Sequence, residues 1–406
     1  MPLPYRTLTE ADVDRVCAEM FTPSPQEAVG VELEWPLHRL GDVAQRPGEE
    51  DMAPLQGEVL PAGGRVTFEP GGQVEISSAP AASVSEALRA MESDSRTLGE
   101  RLLYVGFARE TLAVDTRRPP SRTLRQPRYH AMEQYFAKQG CAGTWMMCNT
   151  ASVQVNISLD HYDAPGQWHT MHRIGPILIA AFANSPGVDA AGRRWCSMRQ
   201  AIWWAIDPSR TRPVPDDRPP ERAWARYALD ADVMYINSGD AGVALLPGLP
   251  FGRWMSAGHH AGWPTEDDLR YHMSTLFPPV RPRGWLELRV LDALPAPIRD
   301  VAILAVATAC TREAAADLRK ELPDTRALWR TAAAAGLKHP ALARGARTLF
   351  EVVADYIDCV STDAWHAELV TEFAEQYVLR GRSPGDTSTP RLAPSSAQPT
   401  PAMQPN

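Results

Sequence analysis

Short segments in which large apolar residues alternate with acidic or polar ones recur along the chain and predict strands. Val31, Leu33 and Trp35 alternate with Glu32 and Glu34; Val74 and Ile76 flank Glu75; Leu286, Leu288 and Val290 alternate with Glu287 and Arg289. Successive side chains of a strand point to opposite faces, so each segment offers one apolar face and one face carrying carboxylates. In a fourth segment Val153, Val155, Ile157 and Leu159 alternate with Gln154, Asn156 and Ser158. Neutral polar side chains of that kind suit an enclosed ligand better than open water. Pro70-Gly71-Gly72 predicts a tight turn, because glycine supplies the positive φ that a reversal needs. The turn folds Glu69 toward Gln73 and Glu75.

Helical spacing fills much of the remainder. Thr9 is placed to cap a helix that runs to about Phe21, and further helices are predicted over about 83–103, 127–137 and 168–183, the last stopped by Asn184-Ser185-Pro186-Gly187. A short strand is expected near Tyr104–Ala108. Residues 38–64 read as a loop over the sheet, and 207–221, rich in proline and charge, as a surface loop. From 298 to 380 the chain is Ala-rich with helical periodicity. Beyond about 380 it is poor in apolar residues and rich in Pro, Ser and Thr, so 381–406 is expected to be a disordered tail. Strands first and helices later indicate an α+β fold rather than alternating βαβ units. The expected organisation is one domain over 1–380, of which 298–380 is the helical part.

Composition narrows the function classes. The chain has 406 residues, 44% hydrophobic, and a formal net charge of −8. An acidic chain without a dense basic block is a poor nucleic-acid binder. No apolar run reaches the roughly 20 residues of a membrane span, and no secretory leader pattern opens the sequence. The six cysteines show no CxxC pair or metal-finger spacing, which fits free thiols in a reducing cytosol. Of the 41 Lys and Arg residues three are Lys, a bias that follows codon preference more readily than chemistry.

Adjacent carboxylates repel and raise one another's pKa unless cations or protons neutralise them. Several acidic strands meeting in one sheet therefore point to divalent metal, although any one of them alone also fits a half-exposed antiparallel strand with a wet outer face. Neither a phosphate-loop nor a dinucleotide-binding glycine motif occurs, so any bound ATP must have its phosphates held by metal on carboxylates, with Arg supplying further positive charge. Arg128, Arg199, Arg210 and Arg289 are the candidates, and Arg289 shares its strand face with Glu287. A structural salt bridge for Arg289 and plain surface solvation for Arg199 and Arg210 are the competing roles. Trp203-Trp204 fits core or pocket wall. His130 and His172 lack a histidine partner one turn on, which argues against zinc. Cys141 and Cys148 are expected to be buried rather than nucleophilic.

Taken in order, Val29-Gly30-Val31-Glu32-Leu33-Glu34, Glu69-Pro70-Gly71-Gly72-Gln73-Val74-Glu75-Ile76-Ser77, Pro127-Arg128-Tyr129, Val153-Gln154-Val155-Asn156, Ala183-Asn184-Ser185-Pro186, Arg199 with Trp203 and Asp207-Pro208-Ser209-Arg210-Thr211, and Leu286-Glu287-Leu288-Arg289 resemble the motifs of the plant and proteobacterial type of glutamate-cysteine ligase. Within that type the chain looks most like the actinobacterial branch that serves ergothioneine synthesis. The resemblance implies a glutamine-synthetase-like fold: a curved, largely antiparallel sheet with the metal and ATP site on its concave face and helices packed behind.

It further implies ATP-dependent ligation of L-glutamate, through its side-chain carboxylate, to L-cysteine. The product is γ-glutamylcysteine, made through an acyl phosphate with two or three Mg²⁺ ions. Carried over residue by residue, Glu32, Glu34, Glu69, Glu75 and Glu287 become metal ligands. Gln154 and Asn156 line the nucleotide or metal site, and Arg289 with Glu287 serves the transferred phosphoryl. Arg128, Tyr129, Arg199, Arg210 and Gln73 become substrate-binding residues. Glu69 is the ligand in doubt, since the turn could aim one of Glu69 and Glu75 inward rather than both. A carboxylate-amine ligase with another acceptor, a guanidino phosphotransferase and a non-catalytic Mg-ATP-binding relative stay open as alternatives.

Overall fold

Burying one face of each alternating strand assembles a single six-stranded sheet. In the computed structural model, which describes residues 7–215, 218–236 and 242–386, its strands are Val29–Trp35 (β1), Arg65–Phe68 (β2), Val74–Ser77 (β3), Ser152–Ser158 (β4), Val280–Pro282 (β5) and Trp285–Asp292 (β6). Their spatial order is β5-β6-β4-β1-β3-β2, and every pairing is antiparallel. The fold is α+β.

Val31, Leu33, Val66, Phe68, Val74, Ile76, Val153, Val155, Leu286 and Leu288 are all buried and form one continuous core. Three helices supply the other half of that core: Val84–Tyr104, Ala164–Ala181 and Ile298–Ala309, each packed on strands of the sheet. All twelve residues of Ile298–Ala309 are buried, as the Ala-rich pattern requires of a helix enclosed on every side. Thr9 and Ser83 cap their helices by accepting the backbone N–H of Asp12 and Glu86.

Several elements depart from the sequence reading. The long helix reaches Tyr104, and the short strand after it is Phe107–Arg109, paired with Leu37–Arg39 inside the segment expected to be loop. That segment also holds a short helix, Glu49–Met52. The stretch expected to be a surface loop from 207 opens with a helical turn, Pro208–Thr211, in which Asp207, Arg210 and Thr211 are buried; a second helix begins at Pro220. An Asp at the cap of the turn and an Arg three residues on pair with each other, which makes a proline-rich segment a buried anchor. Cys148 is buried as expected, but Cys141 is exposed. Of the expected tail, Gly381–Asp386 packs on the body, with the Gly385 N–H donating to the Ala183 carbonyl at 2.9 Å; residues 387–406 lie outside the described residues. No described helix is long and apolar enough to cross a membrane.

The turn between β2 and β3 is seated by close approach. Gly72 has φ +82°, and a Cβ on Gly71 would lie 2.3 Å from the Cys148 carbonyl oxygen. Arg46 pins the same place, donating to the carbonyls of Gly71, Cys148 and Pro119 and to Asn149 Oδ1 at 2.8–3.2 Å. Gly71→Ala should therefore destabilise the protein by about 1–3 kcal/mol through overpacking. Gly99→Ala, in mid-helix where a Cβ meets only ordinary contact, should be neutral or stabilise by up to about 1 kcal/mol. Thermal unfolding of the two variants checks this.

Candidate active site

Strand register decides which polar groups meet. Glu34 pairs with Glu75, Glu32 with Gln154 on one side and Ser77 on the other, Glu287 with Asn156, and Arg281 with Glu287. These side chains share the face opposite the apolar core. Helices Pro127–Ala137 and Ala142–Asn149 and the segment around Trp203 wall that face into a cavity of about 390 Å³, within the range of small-molecule sites. Its lining includes Glu32, Glu34, Glu69, Gln73, Glu75, Arg128, Tyr129, Gln154, Glu287 and Arg289. Most of the candidate residues, from four strands, a turn and the helix Pro127–Ala137, thus converge on one space.

Within it the carboxylates divide into two groups. Glu34, Glu69 and Glu75 each offer an oxygen that lies within 4.8 Å of the other two. The turn aims both Glu69 and Glu75 inward. Burial, then Glu75 and Glu34, hold the Glu69 carboxyl well above its ordinary value. Burial also raises Glu34, against the pull of Arg199, and raises Glu75, reinforced by Glu34. Thr67 and Ser77 orient Glu75 by donating to its Oε1 at 2.7 and 3.0 Å. Three hard oxygen donors, crowded and short of positive charge, are a donor set that suits Mg²⁺ or a similar cation.

Glu287 belongs to the other group. Arg281 grips both of its oxygens and Arg289 Nη1 donates to Oε1 at 2.9 Å. Burial works against its charge, but the two guanidinia overcome it and hold Glu287 at about 2. It stands outside the triad, already neutralised by arginine. Arg289 also donates to Gln154 Oε1 at 2.6 Å, and Gln154 in turn donates to Glu34 at 2.9 Å, so one amide links the two groups. Glu32 accepts from Asn156 at 3.1 Å; burial, then Glu287 and Glu75, push it up to about 7.

Two proposed substrate arginines sit differently from what the sequence suggested. Arg210 is fully buried outside the cavity wall, bonded to Asp207, Thr275 and the Asp232 carbonyl and stacked over Tyr135. Its donors are spent on structure, which removes it from the substrate-binding set and from the surface. Arg199 is 2% exposed; its Nη2 donates to the Arg289 carbonyl at 3.2 Å, while Nε and Nη1 have no protein partner. Arg128 is exposed at the cavity and lies over Tyr129. Gln73 uses its amide nitrogen on the carbonyls of Met147 and Thr150, leaving Oε1 buried without a partner. Asn156 lies beside the cavity lining, between Glu32 and Trp285.

Arg281 and Arg283 line the cavity and were not singled out from the sequence. Arg281 precedes Glu287 by six residues, a spacing that carries meaning only once Arg283-Gly284 is read as the turn of a hairpin. The methionines Met132, Met146 and Met147 form the apolar wall, with Trp203 and Phe277.

Residues 28–382 match the model of the family described as glutamate-cysteine ligase family 2. The glutamate–cysteine ligase EgtA of Mycolicibacterium smegmatis is 36% identical over 400 residues, covering 95% of this chain and 92% of its own. EgtA of Mycobacterium tuberculosis is 35% identical over 82% of this chain and 79% of its own, and a chloroplastic glutamate–cysteine ligase of indica rice is 30% identical over 57% and 48%. Among solved structures, the Francisella tularensis glutamate–cysteine ligase in complex with AMP superposes with a TM-score of 0.55 at 12% identity, covering 90% of this chain and 84% of that one. A bifunctional glutathione synthetase from Pasteurella multocida gives 0.53 at 14% identity over 91% and 50%. At those identities the likeness is one of fold.

The raised carboxylates fix the sign of a pH effect. With folded values above the ordinary 4.5, they contribute stability that is present below that pH and lost as pH rises toward about 7 for Glu32. A cation must displace their protons. Calorimetric titration with Mg²⁺ should show proton release near pH 6, affinity rising from pH 5.5 to 8, and a larger gain in melting temperature at pH 8 than at 5.5. Glu69→Gln should flatten all three.

Proposed function

The chain belongs to glutamate-cysteine ligase family 2, and we propose that its cavity joins the side-chain carboxylate of L-glutamate to the amine of L-cysteine at the expense of ATP. The observation that carries the reading is the carboxylate triad of Glu34, Glu69 and Glu75 next to Arg289, on one face of a sheet in a chain with relatives of that activity over most of its length.

A carboxylate does not acylate an amine at neutral pH, because oxide is a hopeless leaving group. Transfer of the γ-phosphoryl of ATP to the glutamate side chain breaks the bond from Pγ to ADP and forms an acyl phosphate. The cysteine amine then attacks that carbonyl, the C–N bond forms, inorganic phosphate departs and the amine gives up a proton. Phosphoryl transfer spreads negative charge over oxygens that must be met by fixed positive charge. Arg289 is positioned for this: burial disfavours its charge, but Glu287, Glu32, Glu34 and Glu69 overcome that and keep it a cation. Glu287, pinned by Arg281, fixes its direction.

Glu34, Glu69 and Glu75 would hold Mg²⁺, with Glu32 and Gln154 beside them, and the ion supplies charge neutralisation of the nucleotide phosphates when bound. Asn156 would orient Glu32. The exposed guanidinium of Arg128 is the group on offer to a substrate carboxylate at the cavity, with Tyr129 and Gln73 lining the same space, while Arg199, buried and outside the cavity lining, would reach a substrate only through its unpartnered Nε and Nη1. One catalytic domain reaching to about residue 380 accommodates all of them, the protein works in the cytosol, and the product serves ergothioneine synthesis.

Product analysis with each of the twenty amino acids as acceptor tests the assignment. γ-Glutamylcysteine, ADP and phosphate should form in equal amounts, with cysteine the best acceptor; a better amine than cysteine would make the enzyme a ligase of different specificity. Arg289→Met should lower kcat by about 10²–10³-fold, the usual loss on removing one transition-state donor, and should also lower the melting temperature, because buried Glu287 is left with Arg281 alone. Glu75→Gln should instead raise the Mg²⁺ concentration needed for half-maximal rate.

A further inference from the structure

The sixth strand does not run evenly past β4. Leu288 pairs with Val155 and Leu291 with Val153, so Arg289 and Val290 together oppose the single residue Gln154. Two residues against one is a β-bulge, a device that bends a strand and re-aims a side chain. Here the re-aimed side chain is Arg289.

Both carbonyls of the bulge are taken by one neighbouring helix, Met198–Ala205. Arg199 Nη2 donates to the Arg289 carbonyl at 3.2 Å and Gln200 Nε2 to the Val290 carbonyl at 2.7 Å. The start of that helix is tied back to the end of the same strand through Asp292. Ser197, the capping residue, donates to Asp292 Oδ1 at 2.8 Å, while Ser185 Oγ and the Asn184 N–H donate to Oδ2 at 2.7 and 2.8 Å. Ser197 also accepts from the Gln200 N–H at 3.2 Å, and Ser185 Oγ from the Arg199 N–H at 3.1 Å. The helix therefore grips β6 at positions 289, 290 and 292. Neither Gln200 nor Asp292 lines the cavity. On the far side of the bulge, the Arg289 guanidinium reaches Gln154 and Glu287 at 2.6 and 2.9 Å.

We propose that Gln200 and Asp292 are positioning residues for the ligase reaction, holding the bulge that directs the Arg289 guanidinium onto Gln154 and the carboxylate cluster. The Gln200 bond is the separable part. Its side chain is only partly buried and touches no substrate-facing atom, so its effect must pass through the strand. A displacement of the order of an ångström in a reacting group can cost up to about a hundred-fold in rate.

Gln200→Leu keeps the volume and removes the donor. Relative to wild type it should lower kcat about ten-fold, with KM for glutamate, cysteine and ATP within about two-fold and the melting temperature unchanged. In an Arg289→Lys background the same substitution should cost nothing further, because the group it positions is gone. Asp292→Asn, close to isosteric, should give the same signature from the other end of the grip. An unchanged kcat would overturn the inference, as would a loss of equal size in the Arg289→Lys background or a rise in KM alone. A crystal structure of Gln200→Leu with the bulge and the contact from Arg289 to Gln154 intact would also overturn it. The inference rests on the ligase reading, and the two fail differently: no γ-glutamylcysteine from wild type removes the reading, whereas an active wild type indifferent to Gln200→Leu removes only the positioning role.

Discussion

Like charge brought close inside a partly enclosed space is the constraint that organises this protein. The sheet aligns Glu32, Glu34, Glu75 and Glu287 on one face, and the turn adds Glu69. Left alone such a set resists folding, because each carboxylate raises the cost of ionising the next. Two answers coexist. Glu287 is neutralised in full by Arg281 and Arg289, a buried arrangement in which removing one partner typically costs about 3–5 kcal/mol. Glu34, Glu69 and Glu75 have no arginine bonded to them, and protons, or the cation proposed for them, would answer their charge. The permanent answer creates a rigid arm, and the provisional one leaves a seat.

Much of this was legible in the chain because strand periodicity is a local property. Glu32 and Glu34 had to share a face, as did Glu287 and Arg289, whatever the rest of the fold did. Helix starts at Thr9 and Ser83 were equally local, set by a hydroxyl able to accept a backbone N–H. What escaped depended on pairing between distant positions. Arg281 acquires its role only as the cross-strand neighbour of Glu287. The bulge at Arg289–Val290 shows in the chain as nothing more than two adjacent core residues, Val290 and Leu291, where strict alternation would place one. Glu69 and Glu75 both turn inward because Gly71 can touch the backbone of Cys148, a contact between residues 77 positions apart.

The arginines show how little residue type settles by itself. Arg128 is exposed at the cavity, Arg289 is locked among carboxylates, and Arg199 gives one donor to a strand carbonyl and keeps two buried nitrogens without a hydrogen-bond partner. Arg210 is buried as deeply as any residue in the chain and serves the proline-rich segment, holding Asp207, Thr275 and Asp232 together. The expectation that most arginine is solvated placed it at a surface. A cap at Asp207 and an aromatic ring at Tyr135 were enough to bring it inside.

The order of strands also bears on how the chain can be made. β4 lies in the interior of the sheet only because β6 occupies its outer edge, and β6 is synthesised more than 120 residues later. When the first four strands have been synthesised, Glu32, Glu34, Glu69 and Glu75 are present but Arg281, Glu287 and Arg289 are not. A sheet formed at that stage would carry β4 as an open edge beside carboxylates without their arginines, and charge near an edge is one of the features that discourage edge-to-edge pairing.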